Sequence, residues 1–206
     1  MNTHINAMTV FPTLIYSIEK PEFVHPVRTV ALDMLKGATP ANDLHPVRMS
    51  GPMEGDPRLQ EFAAFTAITA GDILTDQGYA TSGLGAFFGG MWAQEHHRSS
   101  GMDQHTHPDS LMVGFYFLDV PEDSSAITFF DPRPGKVATP VLEAKSANIT
   151  DASNAFHMPA SEGLLVLTNA WLPHAFTRHA GKTPLRFVHF NIGLTEHLPQ
   201  HNVEVI

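Results

Sequence analysis

The sequence contains no cysteine. A disulfide-stapled scaffold is therefore excluded, and so is any thiolate zinc or iron–sulfur site. A metal, if there is one, must rest on histidine and carboxylate. Cations are scarce: 12 Lys and Arg stand against 21 Asp and Glu, a net charge of −9 with neutral histidine. This acidic balance disfavours a nucleic-acid backbone as partner, because phosphates are neutralised by Lys and Arg. No apolar run approaches the roughly 20 residues that span a bilayer. The stretch Met1–Met8 lacks a charged region followed by an apolar one, so no signal peptide is expected. The expected location is cytoplasmic, away from membranes. Internal repeats and low-complexity tracts are missing as well. What remains, 206 residues with 43% hydrophobic and 16% charged side chains, is ordinary for a globular protein that buries a core without staples. It reads as a single domain, residues 1–206.

Within that domain the pattern changes at about residue 84. Residues 1–83 read as a strand followed by helical support. Phe11–Ile18 carries strand formers, and Pro21 opens a helix whose Phe23, Val24, Val27, Val30, Ala31 and Leu35 recur at helical spacing, with Gly37 as its stop. Residues 37–55 read as a loop. Asp56-Pro57 supplies an N-cap carboxylate and a first-turn proline for a second helix across Leu59–Leu74. From residue 84 to 194, short apolar runs alternate with turn residues: Leu84–Gln94, Leu111–Val120, Ala126–Phe130, Gly163–Leu167, Ala175–Arg178 and Leu185–Leu194. Runs this short, broken by Gly, Pro, Asp, Ser and Asn, argue for a mainly β sandwich or barrel. Helices early and strands late place the helices on one face of a double sheet. Residues 195–206 read as a polar tail.

Thirteen histidines are present, and two of them stand out. His105 and His107 are two apart, so in an extended chain both imidazoles face one side. A strand follows almost at once, which puts the pair at a strand mouth. His174, after the turn Asn169-Ala170-Trp171-Leu172-Pro173, opens another strand far downstream. Two neighbouring ligands and one distant ligand, all at strand ends, suit an open metal site in a β-barrel. A second triplet overlaps the first: His107-Pro108-Asp109, which with His174 would complete a 2-His-1-carboxylate facial triad. The spacing alone leaves His105 and Asp109 both open as the third ligand. By contrast, His96-His97 reads as surface, since adjacent strand residues face opposite sides and Arg98-Ser99-Ser100 follows. Arg186 enters an apolar strand, Leu185-Arg186-Phe187-Val188-His189-Phe190-Asn191, and a charge there costs free energy unless it is paired. It either snorkels outward at the strand end or faces the barrel interior, where a guanidinium grips a carboxylate bidentately.

The ordered blocks His105-Thr106-His107-Pro108-Asp109-Ser110, Gly114-Phe115-Tyr116-Phe117, Phe130-Asp131-Pro132-Arg133, Trp171-Leu172-Pro173-His174, Arg186 and Phe190-Asn191 resemble the 2-oxoglutarate–Fe(II) oxygenases of bacteria and phages. These are related to the prolyl-hydroxylase-like superfamily. The resemblance spans residues 85–194. It implies a double-stranded β-helix (jelly roll) over residues 84–194, with Fe(II) in its mouth and 2-oxoglutarate bound by the metal and Arg186, and with Tyr116 as a hydrogen-bonding partner of that co-substrate. The recurrence of H-x-H-P in the family favours His105, His107 and His174 as the ligands. The implied reaction takes O₂ and 2-oxoglutarate, releases succinate and CO₂, and hydroxylates a substrate whose identity the motifs do not encode, a small molecule or a protein or peptide side chain. Asp131, Asn169 and Asn191 are candidates for supporting the ligands, although each also suits a turn.

Two other readings compete. A metal-binding cupin shares the jelly roll and the H-x-H motif, but Leu111 and Met112 occupy the positions where a cupin places its glutamate. A non-enzymatic jelly roll with incidental histidines predicts no stoichiometric metal. Exposed strand edges leave a homodimer open.

Overall fold

In the computed structural model, residues 5–40, 42–43, 46–144 and 148–196 are described. In chain order these form β1 (Ile15–Glu19), α1 (Val24–Leu35), β2 (Val47–Met49), α2 (Gln60–Asp76), β3 (Leu84–His96), β4 (Met102–His105), β5 (Met112–Asp119), β6 (Ile127–Phe130), the single-turn α3 (Pro134–Val137), β7 (Ala155–Met158), β8 (Leu164–Asn169), β9 (His174–Phe176) and β10 (Leu185–Glu196). Single 3₁₀ turns, Pro21–Phe23 and Pro57–Leu59, lead into α1 and α2. Before α2, the Asp56 carboxylate accepts the Arg58 N–H, the cap expected from the Asp-Pro pair. No helix among the described residues is long and apolar enough to cross a membrane.

Two antiparallel sheets make a jelly roll, as expected. The larger has the strand order β1-β8-β5-β10-β3-β2 and the smaller β4-β9-β6-β7. Residues before 84 thus supply both edges of the large sheet, besides the two helices. Strands β5, β8 and most of β10 are buried on both faces, so their apolar residues run nearly unbroken and divide by parity. Along β5, Met112, Tyr116 and Leu118 join the core shared with α1 and α2, whereas Val113, Phe115 and Phe117 enter the core between the sheets. Along β10, Val188, Phe190 and Ile192 face the helices, whereas Leu185 and Phe187 face the small sheet. Gly114 falls on the helix side, where any Cβ would overlap the Phe190 ring. Strand β10 runs through residues 195 and 196, two residues into the segment expected as a tail; residues 197–206 of that segment lie outside the described residues.

This parity corrects three expectations. Arg186 shares its face with Val188 and Phe190, so its guanidinium points to the helix side of the sheet and not into the space between the sheets. It stands in a cross-strand row of alternating charge, Arg48–Glu95–Arg186–Asp119, set by the register of four adjacent strands. Its Nε donates to Glu95 Oε2 at 2.6 Å and its Nη1 to Asp119 Oδ2 at 3.0 Å. Arg48 donates to the other Glu95 oxygen at 2.5 Å, and opposite charges side by side on one face stabilise a sheet. Tyr116 lies on the same face. Its hydroxyl donates to the Lys20 carbonyl at 2.6 Å and its ring packs 4.8 Å from that of Phe62. The phenol is fully buried and its pKa is raised, chiefly by that burial. Third, His96 is not a surface residue. Strand β3 continues past Gln94, which turns His96 inward against Phe176 and Phe187, with ring centroids 5.4 and 5.2 Å away. Its neighbour His97 does point out and pairs with Glu95 at 2.7 Å.

Two measurements follow from these placements. Arg186→Ala leaves the buried Glu95 carboxylate with one fewer cation. Urea denaturation is expected to show a loss of about 1–3 kcal/mol, with metal stoichiometry retained; unchanged stability would contradict the structural role. The His96 pKa is pushed down to about 3, mainly by burial. The unfolded chain takes up that proton near pH 6.5 and the folded chain only near 3, so stability is greatest above pH 6.5 and declines as pH falls through that window. His96→Phe is expected to flatten the dependence of Tm on pH between about 6.5 and 4 in the metal-free protein; an unaltered slope would refute the assignment.

Candidate metal centre

The small sheet and the loop after it bring three of the sequence-predicted histidines to one place. His105 is the last residue of β4 and His174 the first of β9, and the register of these strands sets them directly opposite each other. His107 lies just past β4. Its backbone N–H donates to the Ala170 carbonyl at 3.0 Å, which ties the H-x-H segment to the turn before β9. That turn is held in its own right by Leu172 N–H donating to the Asn169 carbonyl. Asn169 also exchanges side-chain hydrogen bonds with Gln77 at the end of α2, at 2.9 and 3.1 Å. Asn169 therefore braces the turn that delivers His174.

Ring centroids of His105 and His174 are 4.5 Å apart, those of His105 and His107 5.0 Å, and those of His107 and His174 5.3 Å. One nitrogen from each ring lies within 4.8 Å of the others, an arrangement able to hold a metal ion. Backbone carbonyls fix two of the rings. His174 Nδ1 lies 3.0 Å from the Leu172 carbonyl and His105 Nδ1 2.7 Å from that of Asp103. In each case the carbonyl can only accept, so Nδ1 carries the proton and Nε2 is left with its lone pair. The Nε2 atoms of His107 and His174 are buried without a hydrogen-bond partner. Both residues have pKa values lowered to about 4, chiefly by burial, with positive neighbours adding to the effect and the Leu172 carbonyl opposing it at His174. The two imidazoles are therefore neutral at physiological pH, the form that binds metal.

Asp109 is not part of this cluster. It sits exposed in a turn closed by Ser110 N–H donating to the His107 carbonyl. Asp131 accepts from the backbone and guanidinium of Arg133, at 2.9 and 2.7 Å, and so shapes its own turn. Asn191 differs from these, since its Oδ1 is buried and unpartnered.

One wall of the site was missed in the sequence. His189 shares parity with Phe187 and stands between the sheets, its ring 5.0 Å from His107, 4.6 Å from Phe115 and 4.5 Å from Trp92. The signal was available: Arg186 and His189 are an odd number of residues apart, so they must face opposite ways in a regular strand. A cavity of about 840 Å³ opens beside the small sheet and is lined in part by Phe129, Phe156, Leu172, Asp131 and Arg133. It does not include the histidines, but Phe129, whose ring lies 6.3 Å from that of His174, is common to its wall and to the surroundings of the site.

Comparison with known proteins accords with this geometry. Residues 90–191 match the family described as "Putative 2OG-Fe(II) oxygenase", a segment that contains all three clustered histidines. No curated protein matches the sequence. Among solved structures, a Pseudomonas putida prolyl-4-hydroxylase is similar with a TM-score of 0.59 at 12% identity, over 87% of this chain and 92% of that one. The non-haem α-ketoglutarate-dependent epimerase SnoN from nogalamycin biosynthesis is similar with a TM-score of 0.62 at 11% identity, over 90% and 82%. HygX from Streptomyces hygroscopicus, solved with nickel and 2-oxoglutarate, gives 0.59 at 12% identity, over 88% and 83%. At these identities the structures establish the shared jelly roll. The family match runs over the strands that carry the histidine cluster, so the chain is similar there to the 2OG-Fe(II) oxygenases, a family whose cofactors are Fe(II) and 2-oxoglutarate.

Proposed function

We propose that this chain is a 2-oxoglutarate-dependent hydroxylase whose Fe(II) is held by His105, His107 and His174. The observation that carries the reading is the pair of buried, unpartnered Nε2 atoms on His107 and His174, which converge with a nitrogen of His105. A buried polar atom without a partner is costly, and a metal ion would satisfy these at once. Three imidazole ligands would suit a borderline divalent cation such as Fe(II) and leave coordination positions open for further ligands. When bound, the iron supplies the O₂ chemistry that couples decarboxylation of 2-oxoglutarate to oxidation of a C–H bond.

The protein's own contribution is orientation and exclusion of water. The Leu172 and Asp103 carbonyls hold the rings of His174 and His105 in their ligating tautomer. Phe115 and Phe129, with rings 5.3 and 6.3 Å from that of His174, form an apolar surround on its side of the cluster. The substrate is a small molecule or a side chain of a protein or peptide, entering by way of the cavity that Phe129 and Leu172 border. Hydroxylation is the outcome proposed. The fold also serves the epimerase SnoN, so the fate of the oxidised carbon is a property of the substrate pocket.

The test is stoichiometric. Purified untagged protein is expected to take up one Fe(II) per chain and to release succinate from 2-oxoglutarate in an iron-dependent manner. His107→Ala and His174→Ala are expected to lose the metal and to lower succinate release by more than about 100-fold. Full iron content in either variant would refute the ligand set, and iron-replete protein that releases no succinate would refute the oxygenase reading.

A further inference from the structure

An anionic co-substrate between the sheets would meet no fully buried cation among the described residues. Among the described residues no lysine or arginine is buried, and Arg186 is committed to Glu95 and Asp119 on the opposite face. Beside the histidine cluster, however, two side chains have buried polar atoms without partners: the Trp92 indole Nε1, and both ring nitrogens of His189. The indole carries only a donor, and a neutral imidazole carries one N–H in either tautomer. The two residues are direct cross-strand neighbours on β3 and β10, with ring centroids 4.5 Å apart and planes at 74°. His189 is 2% exposed, and its ring lies 5.0 Å from His107 and 6.4 Å from His174. Neither of its ring nitrogens reaches a hydrogen-bond partner in the protein.

Two side chains that carry donors, side by side and buried without a hydrogen-bond partner, call for an acceptor-rich ligand. We propose that Trp92 Nε1–H and the His189 imidazole form a neutral-donor subsite for a carboxylate of 2-oxoglutarate, in place of an interior arginine. The proposal rests on the oxygenase reading above. Uncharged donors can serve here because these nitrogens are buried, and away from water a hydrogen bond to a carboxylate is stronger than in solvent.

The proposal is tested by binding, in full-length protein loaded with redox-inert Zn(II). Calorimetry with 2-oxoglutarate is run on wild type, Trp92→Phe, His189→Phe and His189→Gln, with metal content measured for each. Trp92→Phe keeps an aromatic ring and removes the N–H; His189→Gln keeps a donor on a different frame. Zn(II) stoichiometry is expected to hold in all four. The Kd is expected to rise about tenfold or more in each Phe variant and to recover in large part in His189→Gln. A second reading uses Trp171→Phe, which leaves Trp92 as the sole tryptophan: adding 2-oxoglutarate is expected to change its emission. An unchanged Kd in both Phe variants overturns the proposal, as does an emission spectrum that does not respond. Loss of Zn(II) in His189→Phe alone would make His189 a ligand and overturn it too. Failure of zinc-loaded wild type to bind 2-oxoglutarate at all would instead remove the oxygenase reading on which the subsite depends.

Discussion

The antiparallel pairing of His105 with His174 holds the site together. Each residue closes or opens a short strand in the small sheet, and the backbone register puts their rings 4.5 Å apart. His107 is brought in by one further backbone bond, from its N–H to the Ala170 carbonyl. The histidine cluster is thus defined by main-chain hydrogen bonds and not by long flexible side chains, which is the condition a metal site of fixed geometry would need. The cost is carried locally. Imidazoles surrounded by Phe115, Phe129 and one another lose hydration and are held neutral, with His107 and His174 lowered to about 4. The Nε2 atoms of His107 and His174 find no partner within the protein.

The large sheet does a different job on each face. On one, Val188, Phe190, Tyr116 and Met112 pack under the helices, and the charged row Arg48–Glu95–Arg186–Asp119 crosses four strands. On the other, Phe115, Phe187, His189 and Trp92 form the wall opposite the ligand-bearing strands. Stability and chemistry are therefore separated by a single residue of register along β10. A one-residue slip would exchange Arg186 for Phe187 and destroy both functions together.

Much of this was legible in the sequence, and the reasons for the rest are physical. The double-sheet β architecture followed from short apolar runs punctuated by turn residues, its jelly-roll form from the family resemblance, and the histidine cluster from the i, i+2 spacing of His105 and His107 with a distant strand-end partner. Asp109 could not be separated from His105 by spacing, because its place in an exposed turn depends on the Ser110-to-His107 backbone bond. Arg186 and Tyr116 were expected at the co-substrate by resemblance. A motif names residues without their parity, and in strands buried on both faces an unbroken apolar run does not say which side is which. His96 was missed because β3 runs two residues further than its apolar pattern. The edge strands β2, β4 and β7 have too few residues to show a period at all.

The central claim is that one metal ion sits on the Nε2 atoms of His105, His107 and His174. Its most direct test is a crystal structure of the Co(II)-loaded protein with the metal located by anomalous scattering. The account predicts a single fully occupied site within about 2.0–2.2 Å of all three nitrogens. A metal bound by Asp109 in place of His105, or found away from these three rings, would contradict it.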